Sequence, residues 1–151
     1  MKLRIEISPE ENEEIVIRCK SYTETVKKVE SVIENLINAD AECVLYANET
    51  EFYVPYKKIL FFEVQDGKVY AHTKDKAFQS RLNLAKLEEV LPQYFVRSSK
   101  SCIINALQVG AISHNITGPS KVYFNGTQKI VYASRAYYKF LKDKLSVIRG
   151  V

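Results

Sequence analysis

Cysteine is too sparse and too widely spaced in this chain to build a site. Cys19, Cys43 and Cys102 are the 3 cysteines, with no CxxC pair among them, which argues against a zinc knuckle or a dithiol redox motif. Each lies in an apolar or strand-like stretch and reads as a small core residue. Glycine is equally scattered: Gly67, Gly110, Gly118, Gly126 and Gly150 form no phosphate-cradling loop. The only histidines, His72 and His114, have no helical His or Glu partner at metal-ligand spacing, so both read as satisfied surface or edge residues. Glu88-Glu89 points to two faces of one helix and reads as solvated surface. No catalytic constellation remains, no metal or cofactor is implied, and the chain reads as a non-enzyme. No apolar run approaches the ~18–20 residues of a membrane helix. Residues 1–8 alternate like a strand and lack the apolar core and cleavage site of a signal peptide, so a cytoplasmic location is expected.

Acid is scarce too, but only in one part of the chain. Residues 1–51 hold 6 Lys/Arg against 12 Asp/Glu, whereas residues 52–151 hold 16 against 6. Beyond Glu89 there are 9 basic residues and the single acid Asp143. A basic C-terminal unit behind an acidic N-terminal one is the charge footprint of a polyanion binder carrying a regulatory or partner segment. The plainer alternative is a solvated surface whose signs happen to segregate. With 151 residues, 46% of them hydrophobic, the chain has material for one ordinary domain, or a small domain plus an extension.

The first ~45 residues pattern as a β–β–α unit. Leu3, Ile5 and Ile7 alternate with polar residues, and residues 15–18 read as a second strand after the acidic turn at residues 10–14. Ser21-Tyr-Thr-Glu24 has the form of a capping box opening a helix. That helix carries Tyr22, Val26, Val29, Ile33, Leu36 and Ile37 at spacings of three and four, a stripe for core packing or for a second copy of the helix. From Glu42 onward short strands follow one another. Asp66-Gly67 and Asn125-Gly126 each carry the positive-φ signal of a type I′ hairpin turn. A short helix runs from the N-cap Asn83 to Leu91, stopped by Pro92, and another runs from Ser134 to about residue 147 over Tyr138, Leu141, Leu145 and Ile148. The resulting division is an acidic regulatory or dimerisation segment, residues 1–47, and a mainly antiparallel β domain with two helices, residues 48–151.

Basic residues fall where such a scaffold would present them. Arg97-Ser98-Ser99-Lys100-Ser101 links two strands with hydroxyls and cations suited to phosphate oxygens. Arg135, Lys139 and Lys142 lie at i, i+4 and i+7 on the last helix, whose N-cap Ser134 leaves free amides for an anion. Lys68 stands at the exit of the Asp66-Gly67 turn.

These residues carry a resemblance. Tyr53-Val-Pro-Tyr-Lys-Lys-Ile-Leu-Phe-Phe-Glu63, Lys68-Val-Tyr-Ala-His72, Phe95-Val-Arg-Ser-Ser-Lys-Ser-Cys-Ile-Ile-Asn105 and Tyr132-Ala-Ser-Arg135 resemble, in order and spacing, the LytTR DNA-binding domain of bacterial transcription regulators. The likeness runs from about residue 48 to 147. It implies about ten short strands that lay loops into successive major grooves. Matched position by position, it implies base contacts from Lys68, Lys100 and Arg135 or Ala136. Phosphate contacts are implied at Arg97, Ser99, Ser101, Tyr132, Ser134, Tyr137, Lys139 and Lys142. The family commonly has a second basic residue where this chain has Ala136, so either Arg135 takes over base contact or the third groove contact is weaker. The N-terminal unit is too short for the receiver domain of many relatives. The resemblance is therefore to stand-alone members, for which a small restraining membrane protein is an implied partner. The acidic N-terminus would alternatively shield the protein's own basic face. The reading is a sequence-specific regulator of double-stranded DNA, acting as a dimer or as paired copies. Its rivals are a single-stranded nucleic-acid binder, motivated by 10 tyrosines and 7 phenylalanines, and a protein-interaction module.

Overall fold

Alternating patterns from Glu42 onward become ten antiparallel strands in the computed structural model, which describes residues 4–6, 9–10, 14–37 and 41–151. The elements run α1 (Glu24–Ile37), β1 (Glu42–Ala47), β2 (Thr50–Pro55), β3 (Phe61–Gln65), β4 (Lys68–His72), β5 (Ala77–Ser80) and α2 (Leu84–Val90). They continue with β6 (Phe95–Ser99), β7 (Cys102–Asn105), β8 (Val109–Ser113), β9 (Ser120–Phe124), β10 (Ile130–Ala133) and α3 (Arg135–Arg149). Seven strands form one sheet in the order β2-β1-β5-β4-β3-β7-β6, and the other three form a second, β10-β9-β8.

The seven-stranded sheet is buried on both faces at its centre, and strand periodicity sorts the side chains. Phe61, Cys102 and Ile104 face a core shared with Val122, Val131, Leu141 and Leu145, which come from the small sheet and α3. Phe62 and Ile103, one residue out of phase, face a second core with Leu45, Phe78, Leu84 and Leu87 beneath α2. Consecutive apolar residues in β3 and β7 therefore fill opposite layers. Asn105 anchors the end of β7. It is 0% exposed, donates from Nδ2 to the Ile59 carbonyl at 2.9 Å and accepts from the Leu107 amide at 3.0 Å.

Local signals hold at several points. Asp66 and Gly67 both have positive φ, and Asn83 caps α2 by accepting from the Lys86 amide at 2.8 Å. α3 ends on Gly150 in the left-handed conformation. Other expectations need correction. Residues 14–19 pair with no strand, leaving Ile15 and Val16 exposed, so the described part of the N-terminal unit is helix α1 rather than β–β–α. Of the strand expected over residues 3–7, residues 4–6 are described and form no strand, with Ile5 exposed, while residues 3 and 7 and the acidic turn residues 11–13 lie outside the described residues. The cap of α1 is Thr23, which accepts from the Val26 amide at 3.3 Å, because the helix starts two residues later than a Ser21 cap requires. Of the α1 stripe, Val26 is buried where α1 packs on α3, while Leu36 is 71% and Ile37 67% exposed. The boundary expected at 47/48 falls inside the β1–β2 hairpin, so the sheet begins at Glu42. Its turn residues Asn48 and Glu49 both have positive φ, a type I′ geometry without glycine. At the other expected turn only Gly126 is positive, and the loop opens to Lys129 before β10. Cys43 and Cys102 are buried as expected, but Cys19 is exposed. Burial pushes the Cys43 thiol up to about 11 and Cys102 to about 12, which disfavours thiolate at both.

The two sheets are tied together at one corner. Lys129 donates to the carbonyls of Thr73 at 2.8 Å and Lys76 at 3.1 Å, and its Nζ lies 3.5 Å from His72 Nδ1. His72 is half-buried in β4 and stacks on Phe61 with ring centroids 4.4 Å apart. Burial, and next the Lys129 ammonium, push the imidazole down from 6.5 to about 4. The fold keeps this ring neutral, whereas the unfolded chain takes up a proton below about pH 6.5. Its contribution to stability is thus fully present above that pH and is lost as pH falls toward 4. Urea midpoints at about pH 7.5 and about pH 5 check this, since His72→Gln should lose less stability between them than the parent. Equal losses would remove His72 as the source.

Candidate nucleic-acid interface

Three basic outcrops gather at one end of the large sheet, and backbone hydrogen bonds fix them there. Lys68 opens β4 directly after the Asp66-Gly67 turn and pairs with Gln65. On the far side of β3, the Val64 amide donates to the Ser101 carbonyl at 2.9 Å, which brings the Lys100 turn to the same end. The two hairpins are separated by two strand spacings, about 10 Å. The Ser134 amide donates to the Ser98 carbonyl at 2.9 Å, which sets the start of α3, and Arg135 with it, beside the same turn.

The Lys100 turn is built by a bulge. The β6–β7 register passes from Arg97↔Ile103 to Ser99↔Cys102, leaving the fully buried Ser98 as the extra residue. Bulges bend a strand and redirect its side chains. Ser99 Oγ then accepts from the Ser101 amide at 3.2 Å, closing a tight turn with Lys100 exposed at its tip.

Arg97 holds this turn from inside. Its guanidinium donates through Nε to Glu88 Oε1 at 2.7 Å, and through one terminal nitrogen to the carbonyls of Ser99 and Lys100. With its side chain only 17% exposed, it is placed as a brace, whereas the family likeness implied a phosphate contact. Glu88 is accordingly its partner and not free surface. Glu89, paired with Lys86 at 3.0 Å, is the solvated member of that acid pair. Ser134 offers little through its hydroxyl, which is buried without a hydrogen-bond partner. What that position presents is the amides of Arg135 and Ala136, since those of Ser134 and Tyr137 donate to the Ser98 and Ser134 carbonyls.

Lys68, Lys100, Arg135, Lys139 and Lys142 are exposed, and among the described residues none of the five side chains has a carboxylate partner. Tyr132 is exposed on β10, opposite Lys121 of β9, and Tyr137 is half-buried in the first turn of α3. Lys121 was not singled out in the sequence. Its signal is the outward phase of β9, where Lys121 and Tyr123 alternate with the buried Ser120, Val122 and Phe124. His114 stacks flat on Tyr138 with ring centroids 3.9 Å apart. No group of three or more His, Cys, Asp or Glu that would hold a metal occurs among the described residues. No helix among them is long and apolar enough to cross a membrane.

Comparison with known proteins bears on this arrangement. Residues 49–146 match the family model of the LytTr DNA-binding domain. A protein described as an uncharacterized HTH-type transcriptional regulator of Staphylococcus aureus strain NCTC 8325 / PS 47 is 28% identical over 148 residues, spanning 97% of this chain and 99% of that protein. A counterpart from strain MRSA252 is 27% identical over the same length. Among solved structures, the LytTr DNA-binding domain of a methyl-accepting/DNA response regulator from Bacillus cereus superposes with a TM-score of 0.64. It is 22% identical and covers 70% of this chain and 96% of that one.

Proposed function

Because this chain belongs to the LytTR DNA-binding domain family, we propose that its transcription-regulator role is exerted by reading duplex DNA through the Lys68 turn, the Lys100 turn and the start of α3. The observation that carries this reading is the set of five unpaired cations, Lys68, Lys100, Arg135, Lys139 and Lys142, on elements fixed at one end of one sheet. Lys68 and Lys100 sit at turn tips able to reach guanine O6 and N7, while Arg135 enters from the helix start. Ser99, Ser101, Tyr132, Ser134, Tyr137, Lys139 and Lys142 supply phosphate contacts, those of Ser134 through helix amides. Lys121 joins them. Arg97 acts through the turn it braces. Two copies on repeated half-sites fit the family's regulators.

The relatives' descriptor invokes a helix-turn-helix, but no such pair exists among the described residues. Strands β6 to β10 separate α2 from α3, and β1 to β5 separate α1 from α2. Groove contact therefore rests on loops and one helix start. A single-stranded reading is disfavoured because Phe61 and Phe124 are buried and stack on each other in the core at 5.4 Å, where no base can reach them.

Selection of genomic fragments by the purified protein, followed by a salt titration on the enriched duplex, tests the proposal. The expected result is a short repeated motif bound well above bulk DNA, with log affinity falling linearly in log salt by about 0.9 per phosphate contact. Uniform weak binding to every duplex would sink it.

A further inference from the structure

Helix α1 does not seal against the DNA-binding domain. Between it, the end of α2, β6 and the C-terminal half of α3 lies an open cavity of about 440 Å³, within the usual range for small-ligand sites. Its walls are polar and apolar in nearly equal measure, with Leu91, Phe95, Ile103, Phe140, Val147 and Ile148 among the apolar lining residues.

The polar groups at its edge are nearly all satisfied within the protein. Tyr22 donates to Glu30, Lys27 pairs with Glu24 at 2.8 Å, and Glu88 accepts from Arg97 at 2.7 Å. Two remain. Lys144 has no carboxylate partner among the described residues and touches only the Phe140 ring, 5.7 Å from its centroid. Ser31 is 4% exposed, and its hydroxyl has no hydrogen-bond partner. The buried Ser31 hydroxyl is a group of a kind seldom left unsatisfied in native structures without a reason, and the solvated Lys144 ammonium stands at the edge of the same hollow.

We propose that this cavity is an effector site for a small amphipathic carboxylate, whose anionic head is taken by Lys144 and whose apolar body lies against Phe95, Phe140 and Val147. Neutral or cationic amphiphiles would leave the Lys144 charge uncompensated. The site has a direct path to the DNA-reading end, because Arg97 and Glu88 form part of the cavity wall and Arg97 also holds the carbonyls of Ser99 and Lys100. A ligand that moves the Glu88–Arg97 pair therefore moves the Lys100 turn. Only the regulatory meaning of that coupling rests on the DNA-binding reading; the site itself does not.

The test is an amide-resolved NMR titration of the full chain, without DNA, using octanoate as probe and octylamine as its charge-reversed control. Octanoate is expected to give saturable shifts at Ser31, Phe95 and Val147 and a concurrent shift at Lys100, while octylamine gives none. Lys144→Met should weaken octanoate about tenfold. Val147→Phe, which fills the hollow and keeps every polar group, should abolish the response. Absence of saturation, shifts confined to another surface, or equal binding of octylamine would overturn the site. Because no DNA is present, failure here and failure of the operator selection are read separately.

Discussion

Asn105→Ala is expected to lower stability by roughly 3–4 kcal/mol, the largest single-residue loss predicted for this chain. The side chain is fully buried and occupies both of its roles, donating to the Ile59 carbonyl and accepting from the Leu107 amide, while its own amide donates to Leu60. Alanine keeps the last bond and strands the other two partners, the Ile59 carbonyl in a fully buried site and the Leu107 amide in a partly buried one. Each stranded buried group costs about 1–3 kcal/mol, more than the net value of the bond it lost. In a domain whose total stability is about 5–15 kcal/mol, that corresponds to a fall of about 10 °C in melting temperature. Asn105→Asp should be no better, since it sets a carboxylate oxygen against the Ile59 carbonyl. Urea unfolding decides the matter, and a loss under about 1 kcal/mol would mean that the strands relax to satisfy one another.

Removing the Arg97 brace should affect operator recognition as severely as removing the reading residue itself. Lys100→Ala deletes the proposed base contact and is expected to cost about 1–3 kcal/mol of discrimination between operator and mismatched DNA, roughly 10- to 100-fold. Arg97→Ala leaves the Lys100 side chain intact but frees the turn that aims it and leaves Glu88 unpaired. It is expected to erase discrimination to a similar extent. A phosphate contact behaves differently: its loss weakens all sequences alike and reduces the salt slope by about one. Measuring operator and nonspecific affinity across a salt series for both variants separates the two roles. Arg97→Lys should not rescue, because an ammonium cannot serve Glu88 and two turn carbonyls with a planar fork. A uniform loss with a shallower slope would return Arg97 to the phosphate set.

Much of the scaffold was legible because its signals are local. Asp66-Gly67, Asn83 ahead of Leu84, and the Leu141–Leu145–Ile148 spacing each announce an element whose geometry neighbours in sequence decide. The misreadings share another character. The Asn48-Glu49 turn places glutamate at φ 65, a conformation propensity assigns to glycine, and only the β1–β2 register enforces it. Residues 15–18 carry a strand-like pattern but have no strand beside them among the described residues, and alternation cannot report a missing neighbour. The Asn125-Gly126 loop departs from a two-residue turn where the Asn125 amide donates to Gln108 and Lys129 reaches the 73–76 loop, both long-range ties. At the interface, Lys68, Lys100 and Arg135 could be named from turns and a helix start. That Glu88, nine residues away on another element, determines what Arg97 does could not be read from local spacing.

The bonds from Val64 to Ser101 and from Ser134 to Ser98 run between backbone atoms, so the bases of the Lys68 turn, the Lys100 turn and the α3 start are tied without long side chains, and Arg97 holds only the tip of the Lys100 turn. To a duplex read as proposed, the protein is a gauge with three fixed marks. Inserting one base pair between contacted positions shifts the next by ~3.4 Å and turns it by ~35° around the helix axis. Lysine and arginine can flex across the first displacement but cannot follow the second around the duplex. Operators should therefore tolerate base changes between contacted positions far better than changes in their spacing, and a genome search should hold spacing fixed while letting letters vary.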